Sequence, residues 1–418
     1  MRSRDERSSL AIERRLPLLI GAPAHSQAES RRFDPGHALQ DFLTRPPAEL
    51  EAMYYGRQGN PTMDGWTQLD ESPEDPGRFG AHKVNWYRIK TAFIGLKRLA
   101  TLPEEDKQAC IDAYKFFQRM QAGEKTETED ETKAVADYYK VLNNMLSIFD
   151  LEKLYIPPQL NESEGLYANQ LLCEQAVLKE LDLENPETSH LLDMGCGRGR
   201  IAHYFATLTG GQVSGYNIDP NQIENAVDWA AECGMSDRLH FKVGDHHKPL
   251  EYESGAFDGC FSFQAVWPFF KKEELDAHAG EMYRVLKPGA RYSCSEYLLT
   301  PHFDWNNEEH VALHKAFLPT LAATQSMYPA DVCAALERAG FEILISAPSK
   351  SEAWPLCEQK RDLIHRGRRV IRGLEAIRVL PPWVEESLDL LQKGGQAWTD
   401  AEKAKIADLN WRIVAEKQ

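Results

Sequence analysis

The hydrophobic positions of this chain follow two patterns. Over residues 102–185 they recur every three or four positions, and from residue 186 onward they gather into short runs. Cys110, Ala113, Tyr114, Phe117 and Met120 share one helical face, so the spacing predicts a helix that opens at Pro103-Glu104-Glu105 and stops at Gly123. Tyr138, Tyr139, Val141, Leu142, Met145, Ile148 and Phe149 predict a second helix, closed by Pro157-Pro158, and residues 165–181 a third. The acidic run 126–132 reads as a solvated connection. Runs at 191–192, 213–218, 239–243, 257–263 and 290–297 read as buried strands. Strands alternating with helical stretches predict an α/β fold with a mostly parallel sheet. Before residue 102 only 38–42 and 85–99 are weakly amphipathic, on either side of a Gly/Pro/Asp-rich loop.

The connection after the first strand brings in chemistry. It reads Asp193-Met194-Gly195-Cys196-Gly197-Arg198-Gly199-Arg200 and leads into the periodic positions Ile201, Tyr204, Phe205 and Leu208. A strand that turns this tightly into a helix needs residues without Cβ, so that a ligand can approach the backbone and the first helical N–H groups. The dinucleotide fingerprint would put a third glycine where Arg200 stands, so the spacing here is G-x-G-x-G after an acid. Roughly 20 residues further on, Asn217 and Asp219 follow the second strand, where a nucleoside ribose is held. The third strand runs into Gly244-Asp245.

Charge and composition narrow the partners. Lys and Arg total 48 against 64 Asp and Glu, a net charge of −16 over 418 residues, which disfavours nucleic acid. The eight cysteines are scattered without C-x-x-C pairs and read as small apolar fillers in a reducing, cytoplasmic setting. No segment approaches the roughly 20 apolar residues of a spanning helix. Residues 1–35 are rich in Arg and Ser, but Asp5, Glu6, Glu13 and Glu29 count against a transit peptide and leave a disordered tail as the expectation. His310 and His314 are spaced like two metal ligands, yet no third lies nearby, so no metal is expected. Residues 361–380 carry six arginines, with Leu363, Val370, Leu374 and Ile377 as a possible opposite face. That face reads either as a solvated lid helix or as a peripheral contact with a lipid surface.

The run D-x-G-C-G-x-G at 193–199, then Gly244-Asp245, Phe257-Asp258 and Arg284-Val285-Leu286-Lys287-Pro288-Gly289, resembles the class I S-adenosylmethionine-dependent methyltransferases. Further along, Ser295-Glu296-Tyr297-Leu298-Leu299-Thr300, Glu309-His310 and a helix ending Ala339-Gly340-Phe341-Glu342 are similar to the sterol C-24 methyltransferases, as is Tyr138-Tyr139. The likeness spans about residues 103–418. It implies a Rossmann-like class I methyltransferase sheet, mostly parallel with an antiparallel last strand, with an N-terminal helical lid and a C-terminal substrate-side insertion. The implied division is an extension at 1–101, the lid at 102–185, the core at 186–346 and the substrate-side region with the last strand at 347–418. It also implies S-adenosylmethionine as cofactor. Asp193, Gly195, Gly197 and Gly199 are then assigned to its methionine end, Asn217, Asp219 and Gln222 to the ribose, and Asp245 with His246 to the adenine.

Glu296, Gln264 and Tyr139 are the catalytic candidates, and Tyr155, Arg198, Arg200, Trp267 and His310 the acceptor-side ones. Glu296 sits at the carboxyl end of a central strand and serves there as a base or substrate anchor, or else as a structural carboxylate. The departures from the sterol family lie where an acceptor is chosen. Its Y-E-Y-G-W-G becomes Leu146-Ser147-Ile148-Phe149-Asp150-Leu151, and its I-E-A-T-x-H becomes Phe263-Gln264-Ala265-Val266-Trp267-Pro268. Rings and a base that would serve a carbocation are thereby lost, while Arg198 and Arg200 offer guanidiniums to an anionic group. Three readings stay open: C-methylation of a sterol or isoprenoid olefin, methylation at sulfur, nitrogen or oxygen of a small polar acceptor, and a nucleoside-binding scaffold without turnover.

Overall fold

The computed structural model describes residues 86–148, 153–349, 351–378, 380 and 383–418. The stretch at 38–42, the arginine-rich start, and the side chains at 146–151 and of Leu363 lie outside the described residues.

Among the described residues, four α-helices precede the sheet: α1 (Trp86–Ala100), α2 (Glu104–Gln121), α3 (Thr128–Ile148) and α4 (Leu166–Glu180). The core then alternates β1 (His190–Met194), α5 (Arg200–Thr209), β2 (Gln212–Asn217), α6 (Pro220–Glu232), β3 (Leu239–Val243), β4 (Phe257–Phe263), α7 (Leu275–Val285) and β5 (Leu286–Leu299). After it come α8 (Glu308–Leu321), α9 (Pro329–Ala339), β6 (Phe341–Ala347), α10 (Trp354–Ala376), α11 (Trp383–Lys403) and β7 (Ala407–Lys417).

The seven strands form one sheet in the order β3-β2-β1-β4-β5-β7-β6. Pairs among the first five are parallel, and β7 runs antiparallel between β5 and β6. The expected antiparallel last strand is thus present. Chain order reverses on the two sides of β1, because β2 lies on one side and β4 on the other. Loops at the carboxyl ends of β1 and β4 therefore diverge and leave a crevice there, where open α/β sheets bind ligands. Leu191, Leu192 and Met194 of β1 are fully buried, as a central strand covered on both faces requires.

One local expectation changes and another is refined. The acidic run is not a solvated connection: α3 begins at Thr128, and Glu131 is 2% exposed. Acids in a first helical turn face the exposed N–H groups, and Glu131 also meets Lys271 at 3.2 Å and accepts from Thr126 Oγ1 at 2.6 Å. The proposed apolar face of α10 splits: Val370 and, just past the helix, Ile377 are 63% and 69% exposed, while Leu374 packs inward against the cluster that holds Ile371. Buried Arg368 pairs with Glu385 and, at 2.9 Å, Asp389 of α11. Arg368 takes the inward position because both of its partners stand on the facing helix.

Candidate active site

The crevice at the carboxyl ends of β1 to β4 holds a cavity of about 130 Å³. Asp193, Gly195, Gly197, Asn217, Asp219, Gln222, Asp245 and His246 all line it. Its roof comes from α3, through Glu131, Thr132, Val135 and Tyr139, and from Lys153, Leu154 and Tyr155 just after that helix.

At the β1 end, Asp193 is 2% exposed and its Oδ2 has no partner among the described residues. Burial, reinforced by the charge of Glu174, holds this carboxyl well above the ordinary range. An acceptor so placed suits an ammonium group. Gly195 adopts φ +79°, and a Cβ built there would lie 2.3 Å from Ala265 Cβ. Gly197 (φ +53°) would put its Cβ 3.3 Å from Gln222 Oε1, beside the same cavity. These two glycines keep the cradle open. Gly199 does not line it: a Cβ there would fall 2.5 Å from the Phe241 ring, so this glycine lets α5 pack against β3.

At the β2 end, Asn217 Nδ2 donates to Gln222 Oε1 at 3.1 Å, aligning two amides along the cavity wall. Asp219 caps α6 by accepting from the Asn221 N–H at 2.9 Å. At the β3 end, Asp245 Oδ1 accepts from the His247 backbone N–H and lies 2.9 Å from His247 Nδ1. Burial opposes a charge on His247, but the hydrogen bond and charge of Asp245 outweigh it and raise the imidazole pKa. His246 also lines the cavity, yet its ring is stacked between Tyr216 and His278, and burial pushes its pKa down to about 4.

A second cavity, of about 260 Å³, adjoins the first. Tyr139, Leu154, Gln264 and Phe269 line both. The remaining wall is largely apolar, with Leu142, Ile156 and Leu409 on one side and Leu388, Leu391 and Trp398 of α11 on the other. Tyr139 donates to the Leu321 carbonyl at 3.2 Å, which fixes its ring at the junction. Gln264, at φ +51°, is a stitch: Oε1 accepts from the Ile156 N–H, and Nε2 reaches the carbonyls of Ile156 (2.8 Å) and Leu409 (2.9 Å). Tyr155 lines the first cavity with its hydroxyl 2.6 Å from Glu174 Oε1.

One catalytic and two acceptor-side expectations are corrected. Glu296 is fully buried and lines neither cavity, because it turns behind the wall to accept from Ser262 Oγ at 2.6 Å and from the Ala265 and Val266 N–H groups. Trp267 is fully buried as well, donating to Tyr292 Oη at 2.9 Å and packing edge-on to His278. His310 sits in the first turn of α8, away from both cavities, and accepts from the Asp304 N–H at 3.1 Å. Arg198 and Arg200 do line the first cavity, but Arg200 is tied to the Arg198 carbonyl (2.7 Å), to Asn225 (2.9 Å) and to the face of Trp229. Several wall residues went unnoticed in the sequence, Lys153 and His247 among them. His247 carried a weak signal, the doublet after Gly244-Asp245, and Lys153 carried none.

Burial lifts the Glu296 carboxyl from 4.5 to about 7, with the Ser262, Ala265 and Val266 hydrogen bonds offsetting part of the rise. The folded chain therefore keeps this proton where the unfolded chain has released it. Its contribution to stability is full below about pH 4.5 and is lost as pH climbs through 7. Glu296→Gln is expected to flatten the fall of the unfolding midpoint across that window in a thermal melt series. A slope equal to wild type would assign the effect to another group.

A family of methyltransferase domains matches residues 191–289, the span from β1 through the β4 region to the start of β5. This chain carries a methyltransferase domain. The methyltransferase is 24% identical over 352 residues to the sterol 24-C-methyltransferase erg-4 of Neurospora crassa, covering 77% of this chain and 91% of that one. It is 30% identical over 267 residues to the sterol 24-C-methyltransferase ERG6 of Saccharomyces cerevisiae, covering 60% and 66%. Among solved structures, the [4+2]-cyclase SpnF shares the fold with a TM-score of 0.53 at 22% identity, covering 68% of this chain and 95% of that one. The cyclopropane synthase MmaA2 of Mycobacterium tuberculosis does so with a TM-score of 0.53 at 14% identity, covering 63% and 90%.

Proposed function

We propose that this methyltransferase moves a methyl group from S-adenosylmethionine to a carbon of a sterol or related isoprenoid olefin. The observation that carries this reading is the apolar second cavity, which meets the first at Tyr139, Leu154, Gln264 and Phe269. The residues of the first cavity fit the donor. Asp193 Oδ2 is an unused acceptor for the ammonium, Gly195 and Gly197 leave room for the methionine chain, and Asn217 with Gln222 faces the ribose. S-adenosylmethionine, once bound, supplies an electrophilic methyl group that needs no metal.

The protein's own part is to align and to exclude water. The roof of α3 and the Leu154 segment cover the junction, and the Gln264 stitch holds the acceptor wall in register with the donor wall. Such orientation supplies several kcal/mol of barrier lowering. The rings of Tyr139, Tyr155, Phe263 and Phe269 converge from separate segments on the first cavity and offer π faces to a cationic centre. Methylation of a polar acceptor drew support from Arg198 and Arg200, but the bonds of Arg200 to Asn225 and Trp229 turn it toward α6.

No helix among the described residues is long and apolar enough to cross a membrane. Peripheral lipid contact through outward-facing Val370 and Ile377 belongs to the same proposal. Incubation with labelled donor is expected to transfer the methyl group to a sterol or isoprenoid olefin mixture and not to thioethers or amines. Transfer to the polar panel alone would overturn the acceptor assignment.

A further inference from the structure

Lys153 and Glu174 form an ion pair at the first cavity, with side chains 5% and 0% exposed. The ammonium reaches both carboxylate oxygens, at 2.8 Å and 2.6 Å, and lies over the rings of Tyr167 (5.3 Å) and Tyr204 (5.5 Å). Burying two charges costs several kcal/mol per ion, and an apolar pair of similar volume holds a fold as well or better. Stability alone is thus a poor reason for this pair. Lys153 also lines the cavity wall, whereas Glu174 stands behind it on α4.

The pair sits at a definable end of the cavity. The charge of Glu174 acts on Asp193, and that of Arg200 acts on Lys153, so all four groups share one electrostatic neighbourhood at the carboxyl end of β1. That is the methionine end under the donor reading, opposite Asp245 at the β3 end. The Lys153 ammonium has three hydrogens, and Glu174 takes two. We propose that Lys153, held in place by Glu174, binds the α-carboxylate of the donor. Asp193 then takes the ammonium of the same amino-acid group, and the two ends of the zwitterion are read by two opposite charges.

The position of Lys153 in the chain adds a consequence. It precedes Leu154, which lines both cavities, and Ile156, which lines the second and is stitched to Gln264. Lys153 therefore joins the donor end of the first cavity to the segment that completes the acceptor wall.

The inference rests on S-adenosylmethionine as donor, and calorimetry on the full chain separates the two. Lys153→Met is expected to weaken S-adenosylmethionine by about ten- to a hundredfold, the worth of a charge-assisted contact. Its affinity for decarboxylated S-adenosylmethionine is expected to stay within about twofold of wild type. Because Glu174 would be left buried and unpaired, Lys153→Met with Glu174→Gln serves as the second variant and is expected to show the same selective loss. Equal weakening of both compounds would make the pair a structural tie and overturn the inference while leaving the donor reading intact. Failure of the wild-type chain to bind S-adenosylmethionine would overturn both.

Discussion

Gly195→Val is expected to lower donor affinity by about a hundredfold or more, some 2.7 kcal/mol, and to abolish turnover. The added Cβ would meet Ala265 Cβ at 2.3 Å, a separation that real Cβ atoms essentially never show. A β-branched residue also resists the φ of +79° that this turn requires. Relief must come from moving the turn or the 263–266 segment, and both are cavity walls. Displacement of about 1 Å at a reacting centre is enough to cost a hundredfold. Gly210→Ala is the control, because it imposes the same φ of +79° at the end of α5 while the new Cβ meets only Glu187, at an ordinary contact distance of 3.8 Å. It is expected to cost stability but not donor affinity. Titration calorimetry and thermal melts on the two variants check the prediction, and near-normal donor binding by Gly195→Val would defeat it.

Gln264→Glu is expected to collapse acceptor binding more than donor binding. The substitution restores the acid that the sterol family carries at this position, yet here the amide is used at both ends. A carboxylate keeps the bond from the Ile156 N–H and loses both donations, so the Leu409 carbonyl loses its Gln264 donor and the Ile156 carbonyl keeps only the Asn410 Nδ2 donor at 3.1 Å, both facing a negative charge. A buried group that loses its partner costs about 1–3 kcal/mol. Ile156 and Leu409 line only the second cavity, so the acceptor KM is expected to rise at least about tenfold while donor affinity changes little. Lower pH is expected to recover part of the loss, since a protonated carboxyl regains one donor. Steady-state kinetics with each substrate varied in turn, at two pH values, decide the point. An unchanged acceptor KM would remove Gln264 from the wall it is taken to hold.

Both predictions meet at the segment that follows β4. Ala265 closes against Gly195 on one side, and its N–H is held by Glu296 on the other. Glu296 thus shapes the site from behind, as a positioning carboxylate, and its buried ionisation makes that support pH-dependent.

Much of this arrangement is legible in the sequence. The strands were readable because burial on both faces writes a continuous apolar run, and the glycine turn because its positive φ angles leave few residue choices. Asp193, Gly195, Gly197, Asn217 and Asp245 were readable as wall residues because each ends or follows a strand, and a parallel sheet brings those ends to one edge. Gly199 was misassigned for the same reason, as its neighbour across space is Phe241 and not the cavity. The acidic start of α3 was misread because its buried partner, Lys271, lies far away along the chain.

The sequence by itself determined the sheet, the helical cover and the donor end of the site, because period and turn chemistry are properties of neighbouring residues. Only the tertiary structure decided which side chains face the acceptor. The direction of Glu296 depends on its register with β7, which shifts between Glu296 and Leu298. The places of Lys153, Gln264 and Phe269 depend on contacts between segments that no local pattern connects. A side chain's direction at a strand end is set by its cross-strand partners, and those partners are chosen by the packing of the whole chain.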